Sequence, residues 1–415
     1  MRLRRGLEAA AGSGPAGGES SIADVSSDPA GDARFLLRDV ADALPAGQLE
    51  RKLGEGRPLR VKLGLDPTAP DIHLGHTVVL RKLREFQDRG HVVVLIVGDY
   101  TARVGDPSGR SLARPQLDPE EIDRNAETYK EQAFAVLDPE RTDVRRNGEW
   151  LDMRAEELFR LARTATVAQL LERDDFAKRY SEGTPISILE LLYPLLQGYD
   201  SVAVRADVEL GGTDQMFNLL LARDVQQAYG APPQVAITLP ILPGTDGIRR
   251  MSKSEGNYIG VAEPPDEMFG KAMSIPDDVM PVYYRLVLDL PFDEGRPAVE
   301  SKRALARGLV ARFAGDDAAA LAERHFDRLH VARELPDEVE EAVLPDEDPV
   351  HLPAVIADAF GISRSEARRL LAGGGVRIDG GEPLSEADLD VSAAMLDGRV
   401  LQLGKRRFKR FRRAA

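Results

Sequence analysis

Leu59-Arg60-Val61-Lys62-Leu63-Gly64-Leu65-Asp66-Pro67-Thr68-Ala69-Pro70-Asp71-Ile72-His73-Leu74-Gly75-His76 holds the first firm clue to the architecture. An apolar run from Leu59 to Leu65 stops at a turn containing Pro67, and an amphipathic stretch from Thr77 to Arg89 follows, with Val79, Leu80, Leu83 and Phe86 on one face. Gly90 ends that stretch, and Val92 to Val97 is a second apolar run. The pattern predicts strand, turn, helix and parallel strand, a right-handed βαβ unit of a parallel sheet. His73 and His76 then fall at a strand-to-helix turn, where a helix N-terminus attracts anions.

A second motif lies far downstream: Arg249-Arg250-Met251-Ser252-Lys253-Ser254-Glu255-Gly256-Asn257, a basic loop of small residues that follows a predicted strand at Val235 to Leu239. An isolated H-x-x-H reads equally well as half of a zinc site or a surface coincidence. Paired with a cationic loop, it outlines a site that closes on a triphosphate from two sides. Between the motifs, a strand predicted at about Ser201 to Val208 leads into Glu209-Leu210-Gly211-Gly212-Thr213-Asp214-Gln215. Two glycines there admit a ligand against the backbone, and Asp214 and Gln215 add polar contacts. Gly98 to Arg110 follows the strand at Val92 to Val97 at the ligand-binding edge of the sheet, but lacks the spacing and the Lys-Ser/Thr ending of a Walker loop.

Composition bounds the rest. At 415 residues with 43% apolar content, the chain predicts two or three domains with large cores. It has no cysteine, which excludes disulfides, thiolate chemistry and Cys-ligated zinc and agrees with a cytoplasmic location. The longest apolar run, Val92 to Val97, is too short to cross a bilayer, so no membrane association is expected. His91, His325, His330 and His351 form no evident metal set. The net charge of -14 conceals a reversal at Lys405 to Arg413, where seven basic residues surround Phe408 and Phe411. That tail suits phosphate contact and base stacking, or else is a solvated, frayed end.

Residues 1 to 32 are rich in Gly, Ala and Ser and predict disorder. Arg2, Arg4 and Arg5 hint at a transit peptide, against which Glu8 and Glu19 count. Tyr129 to Tyr199 reads as mostly helical, and the pattern after Pro264 is helical again, to Leu329. Leu335 to Pro349 is acidic, contains proline and reads as a linker. Beyond it, Leu352 to Phe360 and Arg364 to Leu371 predict two short helices before a strand at Val376 to Ile378.

These motifs, in this order, resemble the bacterial tyrosyl-tRNA synthetases, class I aminoacyl-tRNA synthetases, over roughly residues 35 to 412. His73-Leu74-Gly75-His76 matches the HIGH signature, and Arg250-Met251-Ser252-Lys253-Ser254 matches KMSKS with arginine in first place. Tyr193-Pro194-Leu195-Leu196-Gln197-Gly198-Tyr199-Asp200 and Gly211 to Gln215 look like the tyrosine- and ribose-binding segments. The resemblance implies an α/β fold: a Rossmann-like parallel-sheet catalytic domain (35–261) with a helical insertion and dimer interface, then a helical domain on the anticodon side (262–335). An acidic linker (336–350) and a small C-terminal α+β RNA-binding domain of the αL type with a basic tail (351–415) complete it, and a disordered extension (1–34) precedes it.

It further implies that L-tyrosine and ATP give tyrosyl-adenylate and pyrophosphate, and that the tyrosyl group then passes to the 3′-terminal adenosine of tRNA(Tyr). ATP enters with Mg2+ as substrate, and neither a tightly bound cofactor nor a resident metal is expected. Thr68, His73, His76, Arg250 and Lys253 are implied as catalytic, and Gly64, Asp66, Gly75, Gly212, Asp214, Met251 and Ser252 as ATP-binding. Lys62, Asp106, Tyr193, Gln197, Asp200 and Gln215 are implied to hold tyrosine; Lys62 stands where many relatives carry a tyrosine, able to donate to the phenol or to pair with Asp200. Arg364, Arg368, Arg369, Lys405, Arg406 and Arg407 are implied to contact tRNA, and Arg110 and Arg114 match further basic positions. A homodimer is expected. Two rivals stay open: a tryptophanyl enzyme, which has no use for Asp200 beside a phenol, and a synthetase-like protein that only binds RNA, against which the intact His73, His76 and Lys253 count.

Overall fold

The computed structural model describes residues 28–67, 71–105, 118–330, 339–385, 388–404 and 407–413. The expectations for residues 1–27 and for Thr68, Asp106, Arg110, Arg114, Lys405 and Arg406 lie outside the described residues. The chain divides into two units, Met1–Gly244 with Ile248–Ala262 and Arg285–Asp289, and Thr245–Gly247 with Glu263–Tyr284 and Leu290–Ala415.

The first unit is built on a six-stranded sheet of β1 (Asp42–Leu44), β2 (Arg60–Leu65), β3 (Val92–Val97), β4 (Thr142–Arg146), β5 (Val208–Gly212) and β6 (Val235–Leu239), in the order β1-β6-β5-β2-β3-β4. β1 runs antiparallel to β6, and all other pairs are parallel. The central strands are apolar because a parallel sheet is covered on both faces: Val61, Leu63, Val93, Val94, Leu95, Ile96, Ile237 and Leu239 are all buried. Helices α1 (Pro29–Leu36), α2 (Leu74–Gln87), α3 (Pro119–Ala133), α4 (Ile188–Ala203) and α5 (Met216–Ala228) accompany the strands. Parallel strands need such crossovers, and β2-α2-β3 is the βαβ unit that the opening stretch predicts.

Three expectations in this unit need correction. The sequence predicts a disordered extension reaching residue 34, yet α1 begins at Pro29. Asp28 Oδ1 accepts from Gly31 N at 2.9 Å, Pro29 opens the helix, and Asp32 pairs with Arg89 at 2.9 Å. The strand expected at Ser201 to Val208 is the end of α4 followed by a turn, and β5 starts only at Val208. A capping box between Ser187 and Glu190 launches α4, and the burial of Asp200 and Ser201 holds its last turn helical despite the β-branched Val202. β4 interrupts the segment read as helical. It is an edge strand of intermediate burial with Val144 as its one apolar residue, so it carries no alternation to read.

The second unit opens with α6 (Pro265–Met273), α7 (Ala298–Ala314) and α8 (Asp316–His330). Arg303 of α7 pairs with Glu323 at 3.0 Å and with Asp327 on α8. Further along come β7 (Glu341–Leu344), β8 (Val350–His351), α9 (Leu352–Phe360), α10 (Arg364–Ala372), β9 (Val376–Ile378), β10 (Asp390–Val391), β11 (Val400–Leu403) and β12 (Arg407–Arg413). They form a sheet in the order β7-β12-β11-β9 and a β8-β10 pair around Leu352, Ile356, Leu371, Leu401 and Phe411.

Here the acidic linker and the frayed tail both give way to structure. β7 lies parallel to β12, with Glu341 paired to Arg412 at 2.6 Å and Glu340 to Lys409. The acidic run is therefore the counter-charge of the basic tail, and Leu344 anchors it in the core. Phe411 is wholly buried, so it packs inward and is withdrawn from base stacking. Among the described residues no helix is long and apolar enough to cross a membrane.

Candidate active site

A cavity of about 420 Å³ opens at the carboxyl ends of β2 and β5 in the first unit. The two motifs meet there through backbone hydrogen bonds: Leu74 N donates to Ile259 O at 2.9 Å, and Val261 N donates to Ile72 O at 3.0 Å. Asn257 ties the basic loop down, its Oδ1 accepting from Ser252 N at 2.9 Å and its Nδ2 donating to Arg250 O at 3.1 Å.

His73 is the cap of α2. Its Nδ1 accepts from Gly75 N at 3.2 Å, and His76 Nδ1 accepts in turn from His73 N at 3.2 Å. A Cβ on residue 75 would stand 3.0 Å from the His73 ring, which is why glycine sits there. With both Nδ1 atoms accepting, each imidazole carries its proton on Nε2. Burial pushes His73 down to about 2, helped by His76, Lys253 and Arg250, and pushes His76 down to about 4. The pair therefore offers neutral donors, not cations, and the positive charge comes from the loop.

Both loop cations face carboxylates of the cavity wall. Lys253 Nζ lies 2.7 Å from Asp71 Oδ2 and 5.5 Å above the Tyr258 ring, and Arg250 Nη1 lies 2.9 Å from Asp214 Oδ2. Burial would raise the Asp71 carboxyl, but hydrogen bonds from Lys253 and Gln132 outweigh it and hold it below the usual carboxylate range.

The deeper end of the cavity is a chain of hydrogen bonds. Tyr193 OH donates to Asp66 Oδ2 at 2.8 Å, and Thr101 Oγ1 donates to Asp66 Oδ1 at 2.7 Å. Asn147 Nδ2 reaches Thr101 Oγ1 at 2.9 Å and Asp200 Oδ2 at 3.3 Å, and Trp150 Nε1 donates to Asp200 Oδ1 at 2.8 Å. Burial pushes the Asp200 carboxyl up to about 7, against the attraction of Lys62 and the bonds from Trp150 and Asn147, and with some help from Glu209. Asp200 is thus a buried carboxyl that accepts hydrogen bonds from Trp150 and Asn147.

Of the residues singled out from sequence, Gly64, Asp66, His73, Gly75, His76, Tyr193, Gln197, Asp200, Gly212, Asp214, Gln215, Arg250, Met251, Ser252 and Lys253 line this cavity. Lys62 does not; it pairs at 2.9 Å with Glu209, which does line the cavity, whereas the sequence suggests the phenol or Asp200 as its partner. Arg364, Arg368 and Arg369 are exposed on α10, and Arg407 is exposed on β12. Sequence reasoning missed Asp71 and Asn147; Gly98 and Thr101 fall in the stretch Gly98 to Arg110 that it placed at the ligand-binding edge without a role for either. A Cβ on Gly98 would stand 2.0 Å from Asp66 Oδ1, so a glycine is required directly after this apolar strand. Asn147 follows the unrecognised edge strand and had no signal in the sequence. Among the described residues no group of three or more metal-ligating side chains could hold an ion.

The family described as tRNA synthetases class I (W and Y) matches residues 54–330. The chain is 52% identical over 394 residues to the tyrosine–tRNA ligase of Moorella thermoacetica, covering 91% of this chain and 94% of that protein. It is 49% identical to the Thermotoga maritima tyrosine–tRNA ligase, covering 91% and 96%. Among solved structures, a C-terminally truncated mitochondrial tyrosyl-tRNA synthetase of Aspergillus nidulans aligns with TM-score 0.60 at 21% identity, over 73% of this chain and 94% of that one. The Archaeoglobus fulgidus tyrosyl-tRNA synthetase crystallised with L-tyrosine gives TM-score 0.59 at 23% identity, over 71% and 99%, so both share the fold. With its two signature motifs on one cavity and a family match over most of its length, the chain belongs to the class I tRNA synthetases of the W and Y group.

Proposed function

We propose that the protein activates L-tyrosine with ATP and transfers the tyrosyl group to the 3′-terminal adenosine of tRNA(Tyr). One observation carries the choice of amino acid: Asp200, a buried carboxyl held by Trp150 and Asn147, lines the same cavity as Lys253 and the histidine turn. A phenol hydroxyl donates to such an acceptor, whereas phenylalanine would leave it buried and unpaired. Tyrosyl-tRNA synthetases are themselves the standard case of this kind of discrimination, which reaches about 10⁵.

In the first step the tyrosine carboxylate attacks the α-phosphorus of ATP, a P–O bond forms, and the bond to the bridging oxygen breaks to release pyrophosphate. No protein nucleophile is needed, so the residues act by positioning and by stabilising charge. Nε2–H groups of His73 and His76 donate to phosphate oxygens. Lys253 and Arg250 exchange Asp71 and Asp214 for the departing pyrophosphate, and Asp214 is released towards the ribose. Thr68 is assigned to the phosphates with them, as the family's motif implies. Gly64, Gly75 and Gly212 let the nucleotide approach the backbone, Asp66 helps to frame it, and Met251 and Ser252 carry the loop across it. Mg2+ enters on the ATP as part of the substrate. Tyr193, Gln197 and Asp106 take the tyrosine ammonium, and Gln215 borders the pocket.

In the second step a ribose hydroxyl of the tRNA attacks the adenylate carbonyl and AMP departs. The exposed Arg364, Arg368, Arg369 and Arg407, with Lys405 and Arg406, supply phosphate contacts. A homodimer is supported by Phe159, Tyr180 and Ile188, which stand 64%, 71% and 78% exposed on the helical insertion. A cytoplasmic location suits a cysteine-free chain. The test is aminoacylation of total tRNA with each labelled amino acid: tyrosine alone should enter acid-insoluble material, and labelling by tryptophan or by none would overturn the proposal.

A further inference from the structure

Lys62 and Glu209 are register partners across β2 and β5, and their side chains are 0% and 1% exposed. Two opposite charges taken so completely from water persist only when every bonding site is filled. Lys62 Nζ lies 2.9 Å from Glu209 Oε1 and donates to Gln197 O at 3.0 Å and to Ser201 Oγ at 2.8 Å. An ammonium has three donors, and all three are used. Glu209 Oε2 accepts from Ser201 Oγ at 3.1 Å and from the Gln234 side-chain amide.

Gln197 and Ser201 are one helical turn apart on α4, and Asp200 lies on that turn. Lys62 grips both ends of the segment that presents the acceptor, from behind the cavity wall. Resting on the tyrosine-activation reading, we propose that the Lys62–Glu209 pair is a positioning and specificity device. Lys62 itself stays out of the cavity; the pair fixes the Asp200 turn and keeps Asp200 an acceptor, so that the para position is read by an acceptor alone.

The groups facing Asp200 fit this role. Lys62 acts from β2 and Glu209 from β5, while Asn147 and Trp150, beyond β4, contribute uncharged donors. Arg145 stacks over Trp150 at 5.4 Å and is itself bonded to Glu149. Lys62 is the largest influence opposing the burial of Asp200, and Glu209 works weakly in the other direction, so the pair as a whole favours the carboxylate.

The wild-type protein gives the first test, by pyrophosphate exchange with ring-substituted substrates. 4-Aminophenylalanine, which donates an N–H, should support exchange within about tenfold of tyrosine, and 4-fluorophenylalanine, which cannot donate, should be rejected by about 10⁴. A fluoro analogue as good as the amino analogue would mean that a donor reads the ring, and would overturn the proposal. The second test is Lys62→Met/Glu209→Gln, which removes both charges at similar volume. Tyrosine-over-phenylalanine selectivity should fall about tenfold or more, and the pH at which kcat/KM for tyrosine rises should move up by about one unit, with the KM for ATP unchanged. Unaltered selectivity and pH profile would refute it; if the variant does not fold, the analogue series decides alone. Absence of any tyrosine-dependent exchange by the wild type would sink the reading of the reaction, and a normal tyrosine response with the wrong analogue order would sink only this inference.

Discussion

Lys253→Ala removes the loop cation that stands ready for the departing pyrophosphate. Its ammonium is 2.7 Å from Asp71 Oδ2, and the lysine side chain is 20% exposed. A unit charge 4 Å from another is worth about 1 kcal/mol in bulk water and about 4 kcal/mol at an effective dielectric near 20. The Tyr258 ring and the cleft wall shelter Lys253, so the upper part of that range applies. A loss of about 3 kcal/mol corresponds to roughly 150-fold in the rate of adenylate formation. Because negative charge on the leaving group grows towards the transition state, most of this should fall on the single-turnover rate and the remainder on ATP affinity. Asp71, 42% exposed, can rehydrate once its partner is gone, so the fold should not suffer. Tyrosine binding should be unchanged, since Asp200 and Tyr193 bond to other partners. Rapid-quench measurement of tyrosyl-adenylate, with equilibrium dialysis of tyrosine, separates the two effects. An unchanged rate, or a parallel loss of tyrosine binding, would refute the assignment of Lys253 to the phosphates.

Asp71→Asn should free Lys253 from its competitor and lower the KM for ATP severalfold without raising kcat; a higher KM would show that Asp71 helps the nucleotide bind. Asp200→Ala should erode the rejection of phenylalanine in exchange assays, and unaltered selectivity would move phenol recognition elsewhere. Ending the chain before Val339, so that β7 leaves with the sheet it belongs to, should spare pyrophosphate exchange and weaken tRNA charging; equal charging would make the module dispensable. His76 has a depressed pKa in the fold, so the stability it contributes is complete above about 6.5 and is lost as pH falls towards 4. His76→Asn should therefore flatten that acid limb by about 1.4 kcal/mol per pH unit, read from denaturant midpoints, and an identical slope would contradict the neutral imidazole.

The part of the fold that the sequence announces is the part where local pattern and burial agree. β2, α2 and β3 are central, their apolar runs are continuous, and the histidine turn follows directly, so fold and phosphate end of the site are read together. Legibility fails where tertiary contacts decide. β4 is an edge strand with almost no apolar content, so Asn147 behind it had no frame. Glu209 becomes the partner of Lys62 only because β5 pairs with β2 in one register, which a linear chain does not display. The acidic run 336–350 has the composition of a linker, yet part of it becomes a strand because the basic β12 supplies its counter-charge. Phe411 reads as an aromatic in a basic tail until the alternation of β12 turns it into the core.

Two distant segments must share one nucleotide beside a pocket that recognises a phenol; nothing else in the mechanism survives without that. Isotopic exchange between pyrophosphate and ATP, measured on the purified protein with each proteinogenic amino acid in turn, tests this directly. Tyrosine alone should support exchange. Exchange driven by tryptophan, or by no amino acid at all, would contradict it.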